Sequence, residues 1–192
     1  MRYRVNEIFL SLQGEGFWTG TPMVFLRLSG CNLACPFCDT DFSAFTEMSA
    51  SEVVDQVLAL AGECRRVCIT GGEPLLQLDS TLIDALHAAG FTLHLETNGT
   101  LEAPDGIDWI TVSPKAGIAL KQANELKLVF QKADEAFIET FAGFPCQHRF
   151  LQPCDTGNPE KNAVIHKECV EYIKSHPWWR LSLQTHKLLG IR

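Results

Sequence analysis

Six short runs rich in Val, Ile, Leu, Phe and Thr punctuate the chain at residues 23–29, 67–70, 92–95, 109–112, 125–129 and 148–151, and they read as β-strands. Helical patterns fill several of the gaps. Ser49 and Glu52 form a capping box ahead of Val53, Val54, Val57, Leu58 and Leu60, which recur at helical spacing. From about Ser80, the apolar Leu82, Ile83, Leu86 and Ala89 share one face, and Gly90 is placed as a left-handed C-terminal cap. Two further helices are predicted over 133–141 and 162–174. Strands alternating with helices predict parallel βαβ units with right-handed crossovers. A closed eight-unit barrel takes roughly 250 residues, and this chain has 192. The expected fold class is therefore α/β: a partial (β/α) barrel of about six parallel strands, in a single domain spanning 1–192. Residues 1–20, which end in the turn-forming Gln13-Gly14-Glu15-Gly16, are expected to make a hairpin or flap over one barrel end.

Composition narrows what such a domain does. Sixteen Lys and Arg against twenty-three Asp and Glu give a net charge of −7, which offers no overall attraction to nucleic acid or an anionic membrane surface. A small-molecule substrate fits better. Asn6 and Glu7 interrupt the apolar run after Arg2 and Arg4, so no export signal is read. No stretch approaches the roughly 20 apolar residues needed to span a bilayer. A soluble, cytoplasmic protein is expected, and in that reducing compartment clustered cysteines point to metal binding or catalysis.

Three of the eight cysteines are clustered. Gly30-Cys31-Asn32-Leu33-Ala34-Cys35-Pro36-Phe37-Cys38-Asp39 carries the spacing CxxxCxxC in one loop after the first predicted strand. Such short intervals let one loop set three thiolates at three corners of an Fe–S cubane, leaving one iron open to a small molecule. The same three thiols with a remote fourth Cys or His would instead close a structural zinc tetrahedron. Cys64, Cys68, Cys146, Cys154 and Cys169 show no clustering and read as structural thiols.

CxxxCxxC on a loop after the first strand resembles the radical S-adenosylmethionine superfamily. Gly71-Gly72-Glu73-Pro74, after the second predicted strand, is similar to that superfamily's GGEP segment, which contacts the methionyl amino group. Cys31, Thr70, Glu96, Ser113 and Gln152 all fall at or just beyond the C-terminal ends of predicted strands, where barrel active sites form. The resemblance implies a pared-down version of the superfamily fold, one 4Fe-4S cluster on Cys31, Cys35 and Cys38, and S-adenosylmethionine.

Within the superfamily the chain resembles the 7-carboxy-7-deazaguanine synthases from end to end. The markers are Glu7-Ile8-Phe9, Leu12-Gln13-Gly14-Glu15-Gly16, Arg27, Cys38-Asp39-Thr40, Glu96-Thr97-Asn98-Gly99, Ser113-Pro114-Lys115, Gln152-Pro153 and Gln184-Thr185-His186-Lys187. The three-residue interval between Cys31 and Cys35 is the common superfamily spacing, so the narrower resemblance depends on Gln13 to Gly16, Arg27 and the C-terminal segment. It implies conversion of 6-carboxy-5,6,7,8-tetrahydropterin to 7-carboxy-7-deazaguanine with loss of ammonia, S-adenosylmethionine being regenerated. By this resemblance Phe37, Cys38, Asp39, Gly72, Glu96, Ser113, Pro114, Lys115 and Gln152 hold S-adenosylmethionine. Leu12, Gln13, Gly14, Glu15, Arg27, Thr70, His186 and the carboxylate of Arg192 meet the pterin. Arg27 faces its carboxylate, since a guanidinium pairs with one in a planar fork. Thr40 supplies a hydroxyl ligand to Mg²⁺.

The resemblance also implies a reducing partner such as flavodoxin or ferredoxin and a homodimer, with Trp178 and Trp179 either at that interface or in the core. Two other functions share the cysteine loop: an activase that installs a glycyl radical on a protein, and a non-catalytic module stabilised by zinc or a cluster.

Overall fold

The computed structural model describes residues 2–38 and 40–192; Asp39, expected at S-adenosylmethionine, lies outside the described residues. In chain order these residues form β1 (Tyr3–Leu12), β2 (Pro22–Leu28), β3 (Thr46–Met48), α1 (Ala50–Ala61), β4 (Arg66–Gly71), α2 (Ser80–Ala88), β5 (Thr92–Thr97), β6 (Trp109–Val112), β7 (Ala123–Phe130), α3 (Glu135–Thr140), β8 (Cys146–Pro153), α4 (Pro159–Ser175), β9 (Arg180–Leu181) and α5 (Thr185–Leu189). One sheet takes all nine strands in the order β3-β1-β2-β4-β5-β6-β7-β8-β9. From β2 to β9 every neighbouring pair is parallel. The sheet is open, with β3 and β9 at its edges, as a partial barrel requires.

The six expected strands are present as β2 and β4 to β8. Of the hairpin or flap expected at residues 1–20, the hairpin is present, with β2 as its second arm. Most of that segment is β1, a ten-residue strand paired antiparallel to both β2 and β3, and residues 13–21 alone make the connecting turn. Polar residues such as Arg4, Asn6 and Glu7 mask β1 because an antiparallel strand keeps one face half-solvated. β3 and β9, three and two residues long, are too short to carry any periodicity.

Alternation along each strand divides the sheet into two faces. On the outer face, Val24, Leu26, Leu28, Val67, Ile69, Leu93 and Leu95 are buried against Val53, Val57 and Ala61 of α1 and Leu82, Ile83 and Leu86 of α2. A second cluster joins Val112, Leu126, Leu128, Phe130 and Leu151 to Ile138 of α3 and to Cys169 and Tyr172 of α4. Each fully buried Leu or Val contributes about 1.5–3 kcal/mol. Truncating Leu82, which has no exposed surface, would cost about 2–5 kcal/mol.

Local signals set the helix ends. The Ser49–Glu52 capping box forms in both directions. After α2, Gly90 at φ 85° donates to the His87 carbonyl and Phe91 donates to that of Leu86, a Schellman closure. All eight cysteines are free thiols, Cys68, Cys154 and Cys169 being buried. Trp179 is buried and Trp178 exposed. Among the described residues no helix is long and apolar enough to cross a membrane.

Candidate active site

The helices cover one face of the sheet, so the other is left to polar side chains. The loop after β2 carries Cys31, Cys35 and Cys38, and it meets the segments that follow β4, β5, β6 and β8. Between them is a cavity of about 240 Å³ lined by these three cysteines together with Phe37, Thr40, Thr70, Gly72, Glu96, Ser113, Lys115 and Gln152. Cys31, Thr70, Glu96, Ser113 and Gln152, contributed by five strand ends, thus meet in one place. Pro114 is buried between its neighbours and does not line the cavity.

Gly72 joins the first two of these loops. A Cβ there would lie 2.2 Å from the Gly30 carbonyl oxygen and 2.8 Å from Cys31 Cβ, while Glu73 N–H donates to Gly30 O at 2.8 Å. Only a glycine permits so close an approach. The Glu73 carboxylate turns away from the cavity. It is fully buried and accepts from Thr97 Oγ1 (2.8 Å), Asn98 N (2.8 Å) and Leu75 N (3.0 Å), tying the β4 loop to the end of β5.

A second cavity, of about 210 Å³, is lined by Leu12, Gln13, Gly14, Glu15, Arg27, Thr70, His186 and Arg192, with Phe9, Phe25 and Cys68. All eight residues expected at a substrate are therefore together. Among the described residues Glu15, Thr40, Thr70, Gly71, Glu96 and Gln184 line both cavities and form a common wall. α5 closes the second cavity because the Gly14 carbonyl accepts from both Thr185 N and Oγ1 at 2.9 Å. A Cβ at Gly14 would run into His186 Nδ1 at 2.1 Å.

The electrostatics of the two cavities differ. In the second, Arg27 Nε pairs with Glu7 Oε1 at 2.8 Å, and Arg192 pairs with the other oxygen of Glu7. Two guanidiniums share the Glu7 carboxylate, and both Arg27 and Arg192 line the cavity. At the common wall the sign reverses. Lys127, 5% exposed, donates to Glu15 Oε2 at 2.6 Å and to Glu96 Oε2 at 3.0 Å. Burial pushes the Glu15 carboxyl up, but Lys127 and the amides of Gln184 and Gln152 outweigh it and hold it at about 2. Glu96 stays above the ordinary carboxylate range, since its burial and the charge of Glu15 exceed the pull of Lys127. Burial and repulsion from Lys127 lower Lys115 to about 8; its ammonium donates to the Ser113 carbonyl and hydroxyl at 2.8 and 2.5 Å.

Lys127, Gln184 and Glu73 received no individual role from the sequence. Lys127 was detectable, because a lysine between Leu126 and Leu128 inside an apolar strand must find a partner when that strand is buried. No local signal says that the partner is Glu15.

The donor set suits a cluster. Three free thiols on one loop line the wall of a cavity, and thiolates are the ligands Fe–S clusters take. Among the described residues no three His, Cys, Asp or Glu are drawn together tightly enough for a single metal ion.

Comparison with known proteins agrees with this geometry. Residues 26–127 match the radical SAM superfamily. The 7-carboxy-7-deazaguanine synthase of Bordetella pertussis is 48% identical and that of Bacteroides thetaiotaomicron 47%, each alignment covering the whole of both chains. The crystal structure of QueE from Escherichia coli superposes with a TM-score of 0.79 at 29% identity, over 95% of this chain and 94% of that one. Streptococcus suis SuiB bound to the precursor peptide SuiA, 14% identical with a TM-score of 0.53, shares the fold over 79% of this chain and 46% of its own. With full-length identity to these synthases and three thiols set at the mouth of an open parallel sheet, the chain belongs to the 7-carboxy-7-deazaguanine synthase family of radical SAM enzymes.

Proposed function

We propose that this chain, as a single catalytic domain over 1–192, converts 6-carboxy-5,6,7,8-tetrahydropterin to 7-carboxy-7-deazaguanine with loss of ammonia. The observation that carries the reading is the common wall. A cavity bearing three cluster-type thiols adjoins a second, substrate-sized one across Glu15, Thr40, Thr70, Gly71, Glu96 and Gln184. Radical chemistry needs that adjacency, because a carbon radical must meet its target before it meets water.

In the first cavity Cys31, Cys35 and Cys38 would hold a 4Fe-4S cluster, while Phe37, Gly72, Ser113, Lys115 and Gln152 would hold S-adenosylmethionine. Together these groups, when bound, supply a primary carbon radical. In the second cavity Arg27 orients the substrate. Its Nε is taken by Glu7, and the rest of the guanidinium fork suits the pterin carboxylate. Glu15, held ionised, accepts from the donor edge of the heterocycle, and His186 closes the pocket over Gly14. Thr40, which lines both cavities, would offer its hydroxyl to Mg²⁺, a hard cation that takes oxygen ligands and keeps several waters. The apolar Leu188 and Leu189 of α5, 73% and 65% exposed, support a homodimer. Flavodoxin or ferredoxin would supply electrons in the cytoplasm, where eight free thiols stay reduced.

The test is an anaerobic assay of the iron- and sulfide-reconstituted protein with reductant, Mg²⁺, S-adenosylmethionine and the pterin, read by mass spectrometry. Many turnovers to 7-carboxy-7-deazaguanine with little S-adenosylmethionine consumed are expected. An intact cluster that releases only 5′-deoxyadenosine would overturn the substrate.

A further inference from the structure

Lys127 has no part in the reaction outlined above, yet it lines the first cavity and holds two carboxylates of the common wall. An ammonium has three donors and no acceptor, and two of its bonds go to Glu15 and Glu96 at 2.6 and 3.0 Å. The remaining oxygen of each carboxylate is held by an amide. Gln184 Nε2 donates to Glu15 Oε1 at 3.0 Å, and Gln13 Nε2 donates to Glu96 Oε1 at 3.3 Å. The residues come from the 13–21 turn, β5, β7 and the segment before α5, so nothing local holds the two carboxylates in register.

One ammonium bonded to two partly buried carboxylates leaves acceptor capacity over on the cavity side, and an acceptor shielded from water without a donor is costly. A ligand that brings N–H donors completes the wall. The ring N–H and exocyclic NH₂ of an aminopyrimidinone lie side by side in one plane, which matches a fixed carboxylate.

We infer that Lys127 is the positioning residue of the substrate cavity. By bridging Glu15 and Glu96 it fixes two acceptor carboxylates in one frame, and through them selects a planar heterocycle with adjacent N–H donors. This rests on the pterin reading and deepens it.

The experiment measures binding to reconstituted holoenzyme with S-adenosylmethionine bound, using two probes: the carboxytetrahydropterin and its analogue without the exocyclic amine. Wild type should reject the analogue by at least about 100-fold, as sites built to hydrogen-bond a ligand do. Lys127→Met should weaken the pterin about 30-fold and compress that discrimination below about tenfold. Iron content should stay within about twofold, since Lys127 bonds to the two carboxylates and to no thiol. Lys127→Arg should also load its cluster, yet bind the pterin at least about tenfold more weakly, because a planar fork cannot hold the same two oxygens as a compact ammonium. If Lys127→Met fails to take up iron, the arginine variant decides. Wild-type affinity and discrimination in either loaded variant, or an equal loss for both probes, would overturn the inference alone. A wild type that binds neither probe would overturn the substrate reading, and this inference with it.

Discussion

One turn, residues 13–21, closes both ends of the curled sheet, and it does so by opposite chemistry. At the end where the strands finish, Gln13 and Glu15 join Glu96, Lys127 and Gln184 in a chain of charged hydrogen bonds. At the end where the strands begin, Phe17 stacks on Trp109 and His148 with centroids 5.1 and 4.2 Å away. Trp18 meets His94 edge-on at 5.0 Å, and the Arg66 guanidinium sits 5.3 Å from its ring. Gly16 is the joint between the two halves. At φ 65° it packs so close to Glu125 that a Cβ would lie 1.9 Å from Oε1, and its N–H donates to Ser182 Oγ at 2.9 Å. The polar end supplies recognition but loses heavily if any partner is missing. Offset and edge-on ring packing tolerates small shifts, so the aromatic end can anchor the turn and leave Glu15 already in place for a ligand.

The sharpest separation of the two ends is expected from the cysteine loop. Cys31→Ala should abolish iron binding and turnover together while leaving the unfolding midpoint within a few degrees, because no core contact is lost. Unchanged iron content in that variant would remove Cys31 from the cluster. At the opposite end, Trp18→Ala should cost about 3 kcal/mol of stability. It should keep iron and S-adenosylmethionine binding but raise the KM for the pterin by releasing Glu15. If denaturant unfolding shows no loss, the aromatic end is not the anchor.

Arg27→Ala should raise KM about tenfold with the cluster intact. Its cost in stability should stay below about 1 kcal/mol, since the Glu7 pair is partly exposed. Equal KM and kcat to wild type would take Arg27 out of the site. The smallest effect concerns Glu125, whose carboxyl burial raises to about 7 against an ordinary 4.5, despite the opposing pull of Lys127. Between those values the folded state binds more protons than the unfolded one, so stability falls as pH rises from 4.5 towards 7 and levels off above it. Glu125→Gln should flatten this slope in urea unfolding across that window. A slope left intact would assign it to other groups.

The elements built from neighbouring residues were legible. The apolar runs located β2 and β4 to β8, the Ser49 and Gly90 caps bounded two helices, and CxxxCxxC marked the loop where the thiols stand. The predicted α3 and α4 also appear, with ends shifted by a few residues. Each of these features depends on residues within a turn or a strand of one another, so periodicity and spacing suffice to reveal it.

Other features were decided between distant segments. Glu15 and Lys127 are 112 residues apart, and their bond depends on β7 facing the 13–21 turn. The same holds for Glu7, which sits opposite Arg27 only because β1 runs antiparallel to β2. Alternation in Glu125-Leu126-Lys127-Leu128 says that the strand has two faces. Which face the helices cover, and hence which one lines the cavity, is settled when α3 and α4 bury Leu126 and Leu128. By itself the sequence determined the strands, the caps and the thiol loop, because their causes are local. The charge balance of the common wall and the aromatic closure beneath it were decided by tertiary structure alone, because a buried charge or ring is stabilised by whatever the fold sets against it.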